Sequence, residues 1–150
     1  MSFSLERMND DQREPQRHTG FLLRRAQQRH VATWMSIIDG DVTSGQYGIL
    51  AVLDRRPGIA QKEICAELDF DRSTIADICS RMEKNGLVSR AQAADDRRRN
   101  VLHLTDAGRT ELARLQPLVE RVGKQLTSAL TSEEHAQLRV LLGKLLVGSA

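Results

Sequence analysis

Cysteine is scarce in this chain of 150 residues and occurs only as Cys65 and Cys79. The two cysteines lie 14 positions apart without a second pair, and the four histidines are scattered along the chain. A zinc ribbon needs clustered cysteine and histidine ligands, and a C-x-x-C redox motif needs two cysteines separated by two residues, so both are excluded. We predict no metal site and expect both thiols to be buried, in a protein of a reducing compartment.

The chain also lacks a large net charge and a long apolar run. It contains 22 Lys and Arg residues and 20 Asp and Glu residues, which gives a net charge of +2. The chain is therefore not a histone-like polycation, and any binding of anions must be local. No apolar run reaches the roughly 20 residues of a membrane span. The N-terminus lacks the charged-then-apolar order of a signal peptide. We expect a cytoplasmic protein with no membrane partner.

Motifs typical of enzymes are missing as well. The sequence contains no Gly-rich phosphate loop, no H-E-x-x-H and no nucleophile elbow. An enzyme is the competing class of function, and nothing in the sequence supports it. We therefore predict no catalytic residues and no cofactor.

The first part of the chain indicates an arm followed by a long helix. Residues 1–15 are polar and end at Pro15, which predicts a mobile N-terminal arm. Residues 16–39 contain few helix breakers and predict one long helix. Its apolar residues recur near one stripe, formed by Leu22, Ala26, Trp34 and Ile38.

Three shorter helices are predicted between residues 44 and 86. The first covers 44–54 and ends before the turn "RRPG", and the second lies within 60–70. The third has Asp71 as a plausible N-cap and Gly86 as its stop. Its inward face is formed by Ile75, Ile78, Cys79 and Met82, and the opposite face is polar. This is the pattern of a helix-turn-helix with a polar second helix.

A charged hairpin follows the helix-turn-helix. The stretches 87–91 and 100–105 alternate apolar and polar residues, as short strands do. A basic tip joins them, with Arg97, Arg98 and Arg99 in succession, and we expect Asp95 or Asp96 to pair with one of these arginines. The fold class is therefore mainly α, a winged helix-turn-helix with a small β-hairpin wing.

The C-terminal part predicts two helices with apolar faces. A seam with the spacing of a coiled coil is bent by Pro117, and Thr131 with Glu134 forms a capping box that starts the last helix. These faces exceed what one small winged helix can cover, so we expect a homodimer. Residues 16–43 and 109–150 then form a helical dimerisation domain, and 44–108 the winged helix-turn-helix domain. The seam is formed by Leu112, Leu115, Val119, Val122 and Leu126.

A winged helix of this kind can bind double-stranded DNA. Its second helix fits the major groove, and the wing arginines fit the adjacent minor groove, where the potential is negative. Two alternatives stay open, because Arg81 could instead pair with Asp77 one turn away, and some winged helices bind proteins. The candidate DNA-binding residues are Arg72, Ser73, Thr74, Asp77, Arg81, Arg97, Arg98 and Arg99.

The chain resembles the MarR family of bacterial transcription regulators. The matching segments are "TSGQYGILAVL" (43–53), "QKEICAELDFDRSTIADICSRMEKNGLVSR" (61–90) and "DDRRRNVLHLTDAGR" (95–109). The resemblance implies an obligate homodimer that binds a pseudo-palindromic operator as a repressor and is released by a small ligand. Asp77 departs from the basic or polar residue expected at its position, which puts base readout there in doubt.

The resemblance also implies an effector site. Members of this type often bind anionic aromatic compounds between the dimer helices and the winged helix, and "HTGFLLRRAQQRHVATW" (18–34) is similar to regulators of aromatic-acid catabolism. A lone histidine or tryptophan on an apolar stripe is, however, more often a core residue. The peroxide-sensing branch uses a cysteine in the first helix, and this chain has none there, so a thiol sensor is the lesser alternative. The candidate ligand-binding residues are Arg25, His30, Trp34 and Tyr47.

Overall fold

The computed structural model describes residues 17–148, which form helices and one small sheet. The predicted N-terminal arm lies outside these residues. The elements in chain order are α1 (Thr19–Ile37), α2 (Ser44–Arg55), β1 (Ile59–Ala60), α3 (Gln61–Leu68), α4 (Arg72–Lys84), β2 (Val88–Gln92), β3 (Asn100–Leu104), α5 (Asp106–Leu126) and α6 (Ser132–Val147). The mainly α fold with a β-hairpin wing is confirmed.

Short polar side chains define where the helices begin. The Thr43 and Thr131 hydroxyls accept hydrogen bonds from the backbone N–H of Gln46 and Glu134, and both sites are complete capping boxes. Asp71 caps α4 as predicted. Beyond α4, Gly86 adopts φ +74°, a conformation that costs glycine little, and lets the chain turn into β2.

The sheet has three antiparallel strands in the order β1-β3-β2. In the hairpin, Val88 lies opposite Leu104 and Gln92 lies opposite Asn100. β1 was not predicted, because two residues are too few to show an alternating pattern. Its pairing of Ala60 with Val101 holds the start of α3 beside the wing.

The chain divides into two compact units, and the first runs from Ile38 to Glu120. Within it, α2 contacts α3, α4 and β3. Cys79 lies in its core, as the sequence predicted. The fully buried large side chains include Ile49, Leu50, Leu53, Ile64, Ile75, Met82 and Leu102. This core sets the relative positions of α3, α4 and the wing.

Of the described residues, the second unit comprises 17–37 and 121–148. The long first helix is present as α1, and on its predicted apolar stripe Leu22 and Ala26 are exposed whereas Trp34 is buried. No residue of α6 is buried. α5 continues through Pro117 as one helix, and the bend predicted at this proline stays a prediction. Within residues 17–148, none of the helices is long and apolar enough to cross a membrane.

Candidate nucleic-acid interface

The first turn of α4 is fixed by Asp71. One carboxylate oxygen, Oδ1, accepts from the Thr74 backbone N–H at 2.7 Å and from the Ser73 hydroxyl at 2.8 Å. These hydrogen bonds favour the charged carboxylate and lower the pKa of Asp71 below its usual value. The carboxylate of Asp71 is therefore committed to holding the helix start and the Ser73 side chain in place.

The outward face of α4 carries most of the predicted DNA-binding residues. Arg72, Ser73, Asp77 and Arg81 are exposed, and Thr74 is half-buried. Among the described residues, the ion pairs do not include one between Asp77 and Arg81. The alternative pairing considered for Arg81 is therefore not formed, and both charges point away from the core.

The wing tip, residues 93–99, is a closed turn. The Ala93 N–H donates to the Arg99 carbonyl at 2.9 Å, and the Arg98 N–H donates to the Asp96 carboxylate at 2.9 Å. Arg99 pairs with Asp95 at 3.6 Å, which confirms the prediction that an aspartate pairs with an arginine of the tip. Within the part of the chain that the structure describes, the guanidinium groups of Arg97 and Arg98 form no ion pair.

The wing tip and the two helices of the helix-turn-helix border one basic cleft of about 340 Å³. Two of its cations are paired, Arg90 with Glu83 at 3.0 Å and Arg99 with Asp95. The other three have no ion pair among the described residues, and no carboxylate lines the cleft. The lining residues are Ala60, Gln61, Lys62, Cys65, Arg72, Arg90, Arg98, Arg99 and Asn100. Such a cleft can accept an anionic oxygen from several sides.

Two of these cations were missed from the sequence. Lys62 lies in the first turn of α3 and Arg90 in the middle of β2, 28 positions apart. They meet because β1 pairs with β3 and β3 pairs with β2. Recognising the strand β1 would have shown that Lys62 and Arg90 meet, but two residues are too few to show a periodic pattern.

The wing is joined to α5 through Thr105. Its hydroxyl donates to the Gly86 carbonyl, its backbone N–H donates to the Leu87 carbonyl at 3.1 Å, and the Gly108 N–H donates to its hydroxyl oxygen at 3.0 Å. A Cβ on Gly108 would overlap the Leu87 carbonyl oxygen. Only glycine fits at this position, where the first turn of α5 meets the start of the wing.

The candidate effector residues are divided between the two units. Arg25, His30 and Trp34 lie on α1, and Tyr47 lies on α2. The His30 and Trp34 rings are in edge contact, with centroids 6.0 Å apart and planes at 70°. Trp34 is buried, His30 and Tyr47 are half-buried, and Arg25 is exposed. The structure thus brings His30 and Trp34 together and leaves the Arg25 side chain open to solvent.

Cys79 does not have the setting of a peroxide sensor. Cys79 is fully buried on the inner face of α4, and burial raises the pKa of its thiol to about 11. Because the reactive form of cysteine is the thiolate, this residue stays protonated and unreactive near neutral pH. The prediction of a buried thiol is not met at Cys65, which is half-buried on α3 because it borders the basic cleft.

Treatment with a modest excess of hydrogen peroxide is expected to leave DNA binding unchanged. The measurement is a gel shift with the DNA upstream of the gene, before and after peroxide, with Cys65→Ser as the control for the more accessible thiol. Loss of binding that Cys79→Ser prevents would contradict the expectation.

The sequence matches a model of the MarR family over residues 40–99. A putative transcriptional regulatory protein for the hcr operon of Thauera aromatica is 36% identical over 129 residues, which cover 84% of this chain and 77% of that protein. The transcriptional regulator HosA of Escherichia coli is 32% identical, with coverage of 83% and 91%. The chain therefore belongs to the MarR family, and it is a DNA-binding transcriptional regulator with a winged helix-turn-helix.

Solved structures of the same fold include regulators bound to ligands or DNA. PcaV of Streptomyces coelicolor, in complex with its natural ligand, aligns with a TM-score of 0.85 and 32% identity over 89% of this chain and 94% of that one. Bordetella bronchiseptica BpsR, whose DNA binding is regulated by 6-hydroxynicotinic acid, aligns with a TM-score of 0.79 and 27% identity. The alignment covers 84% of this chain and 96% of that one. The transcriptional repressor CouR, bound to a DNA duplex, aligns with a TM-score of 0.76 and 31% identity. The alignment covers 86% of this chain and 92% of that one.

Proposed function

We propose that the protein is a repressor that binds a pseudo-palindromic operator as a homodimer and is released by a small aromatic acid or its thioester. The observation that supports DNA binding is the basic cleft. It joins the start of α3, the start of α4 and the wing tip in one anion-binding surface. A protein with a net charge of +2 that gathers five cations around one cleft is suited to a local polyanion such as a DNA backbone.

In this proposal α4 enters the major groove and the wing tip reaches the adjacent minor groove. The exposed Ser73, Asp77 and Arg81 face base edges, with Thr74 beside them. Arg97 supplies charge for the minor groove, while Lys62, Arg72 and Arg98 hold a phosphate in the cleft. Base contacts carry sequence specificity and phosphate contacts carry salt-dependent affinity, so the two sets of residues are separable by experiment.

Thr74→Ala is expected to weaken operator binding by about 1–3 kcal/mol with little effect on random DNA. Arg98→Gln is expected to weaken both and to reduce the slope of log affinity against log salt by about 1. Titrations of both DNAs at several salt concentrations measure these effects. Arg121→Gln, which removes a cation of the other unit, is the control and should change neither.

Equal losses on operator and random DNA for Thr74→Ala would show that α4 does not read bases. If the unmutated protein retains no DNA from its own upstream region, the proposed function fails. A winged-helix module for protein partners would then be the better explanation.

We propose the dimer from the apolar residues that remain exposed on α1 and α6. Met35 is 75% exposed, Leu146 71% and Val147 84%, and a surface this apolar is typical of an interface. We propose that residues 16–43 and 109–150 form the dimerisation domain and that residues 44–108 form the DNA-binding domain. We propose that the protein acts in the cytoplasm, where a bacterial DNA-binding regulator meets its operator.

We propose that the effector lies beside α1, with Arg25 as the cation for a carboxylate, His30 as a hydrogen-bond donor and Trp34 as an aromatic face. BpsR, which shares the fold, responds to 6-hydroxynicotinic acid, a hydroxylated aromatic carboxylic acid. Such a ligand releases DNA only if it binds more tightly to a dimer whose recognition helices are wrongly spaced for major grooves about 34 Å apart.

Arg25→Ala is expected to blunt the response to the effector and to leave DNA binding without ligand nearly unchanged, because the carboxylate loses its cation. The test is an operator titration with para-hydroxybenzoic acid, its coenzyme A thioester and 6-hydroxynicotinic acid, where release corresponds to about 5- to 150-fold weaker binding. Arg24→Ala, one residue away on the same exposed helix, is the matched control.

An undiminished response in Arg25→Ala would remove Arg25 from the site. No response of the unmutated protein to any of the three compounds would count against the ligand class while leaving DNA binding intact. A thiol-sensing regulator is the second candidate, and the buried Cys79 argues against it.

A further inference from the structure

Asp77 is an acidic side chain on α4, the helix whose first residue, Arg72, lines the basic cleft. It lies one turn after Ser73 and one turn before Arg81 on the outward face of α4. The side chain is exposed, and among the described residues it accepts no hydrogen bond and forms no ion pair. Asp71 differs, because its carboxylate already caps the helix. Asp77 thus has a charge that the folded chain leaves unused.

A carboxylate at this position can meet only a restricted set of partners on DNA. Phosphate oxygens carry the same charge and repel it, and the acceptors of guanine and thymine in the major groove repel it as well. Adenine has a donor at N6, but its N7 acceptor lies beside that donor. Cytosine presents its N4 amino group without an adjacent acceptor on the same base, so it is the base that a carboxylate can accept from most favourably.

We propose that Asp77 determines specificity by accepting a hydrogen bond from cytosine N4 in each half of the operator. The proposal rests on the proposed function, because it needs α4 in the major groove. Asp77 departs from the residue that the resemblance to the family led us to expect, which put base readout in doubt. Its unpaired and exposed carboxylate instead gives this position a preference for cytosine. Arg81 lies one turn away without neutralising Asp77, which leaves the negative charge available to the base.

The test is a selection of binding sites from a randomised DNA duplex library, followed by competition titrations. The unmutated protein is expected to select cytosine at one position of each half-site and to bind sites with another base there about tenfold more weakly. Asp77→Asn has the same size, and its amide pairs best with adenine N6 and N7. We expect this variant to prefer adenine at that position and no other position to change.

Asp69→Asn is the matched control, because it removes one negative charge just before the same helix and asparagine tolerates the left-handed backbone of this residue, at φ +55°. It should raise affinity for all sequences alike and keep the preference for cytosine. If Asp77→Asn keeps the preferences of the unmutated protein at every position, the inference is overturned although DNA binding stands. If the unmutated protein selects no sequence at all, the proposed function fails and the inference fails with it.

Discussion

Replacing Leu141 with glutamate is expected to convert a dimer into monomers. Leu141 is 62% exposed on α6, a helix without a single buried residue. Covering a leucine contributes about 2 kcal/mol, and a two-fold interface contains the residue twice, so the loss is about 4 kcal/mol before the cost of burying a charge. This corresponds to an increase in the dimer dissociation constant of about a thousandfold or more.

Sedimentation velocity at micromolar concentration measures the change, and circular dichroism shows whether the released chain keeps its helices. Arg139→Glu, which places the same side chain on the opposite side of α6, should leave the dimer intact. A monomeric unmutated protein, or a Leu141→Glu protein that sediments as a dimer, would contradict the proposed interface.

Gly108→Ala is expected to lower the free energy of unfolding by about 3 kcal/mol, the upper end of the cost of overpacking. The added Cβ would overlap the backbone carbonyl of Leu87 and would lie 3.2 Å from the Leu104 side chain. A backbone atom at the start of β2 yields only if the strand moves. We therefore expect weaker DNA binding as well, because the wing would be displaced from α4.

Thermal unfolding checks this prediction, since about 3 kcal/mol lowers the melting temperature of a chain of this size by roughly 6–12 °C. Gly123→Ala is the control on the same helix, because apart from the local helix backbone no atom of the described chain lies within 4 Å of its added Cβ. It should stabilise the protein by about 0.5–1 kcal/mol, as alanine does in helices. Equal stability of the two variants would show that the contact at Leu87 is tolerated.

The local elements were predictable because their signals are local. The Asp71 cap, the Thr131 capping box and the change from helical to alternating pattern after Gly86 each depend on a few neighbouring residues. These signals define the helix-turn-helix and the wing. They do not define α1 equally well, because an apolar stripe indicates a helix face but not whether that face is covered within the same chain.

The site was only partly predictable. The exposed face of α4 and the arginines of the wing follow from the sequence, since both lie on predicted elements. The basic cleft does not, because Lys62 and Arg90 come from different elements and meet through the pairing of β1 with β3. Long-range pairing of so short a strand depends on the tertiary fold and leaves no pattern in the sequence.

The two aspartates of the wing tip lower its positive charge and hold its turn in shape. Asp95 and Asp96 set two negative charges against its three arginines, which leaves a formal charge of +1, but their contacts with Arg99 and with the Arg98 backbone shape the turn before DNA arrives. Ordering a free loop costs about 1–2 kcal/mol per residue on binding, and a turn that is already closed avoids most of this entropy loss. Calorimetry should therefore show a wing that docks as a preformed body, with a small heat-capacity change instead of the large negative change of coupled folding.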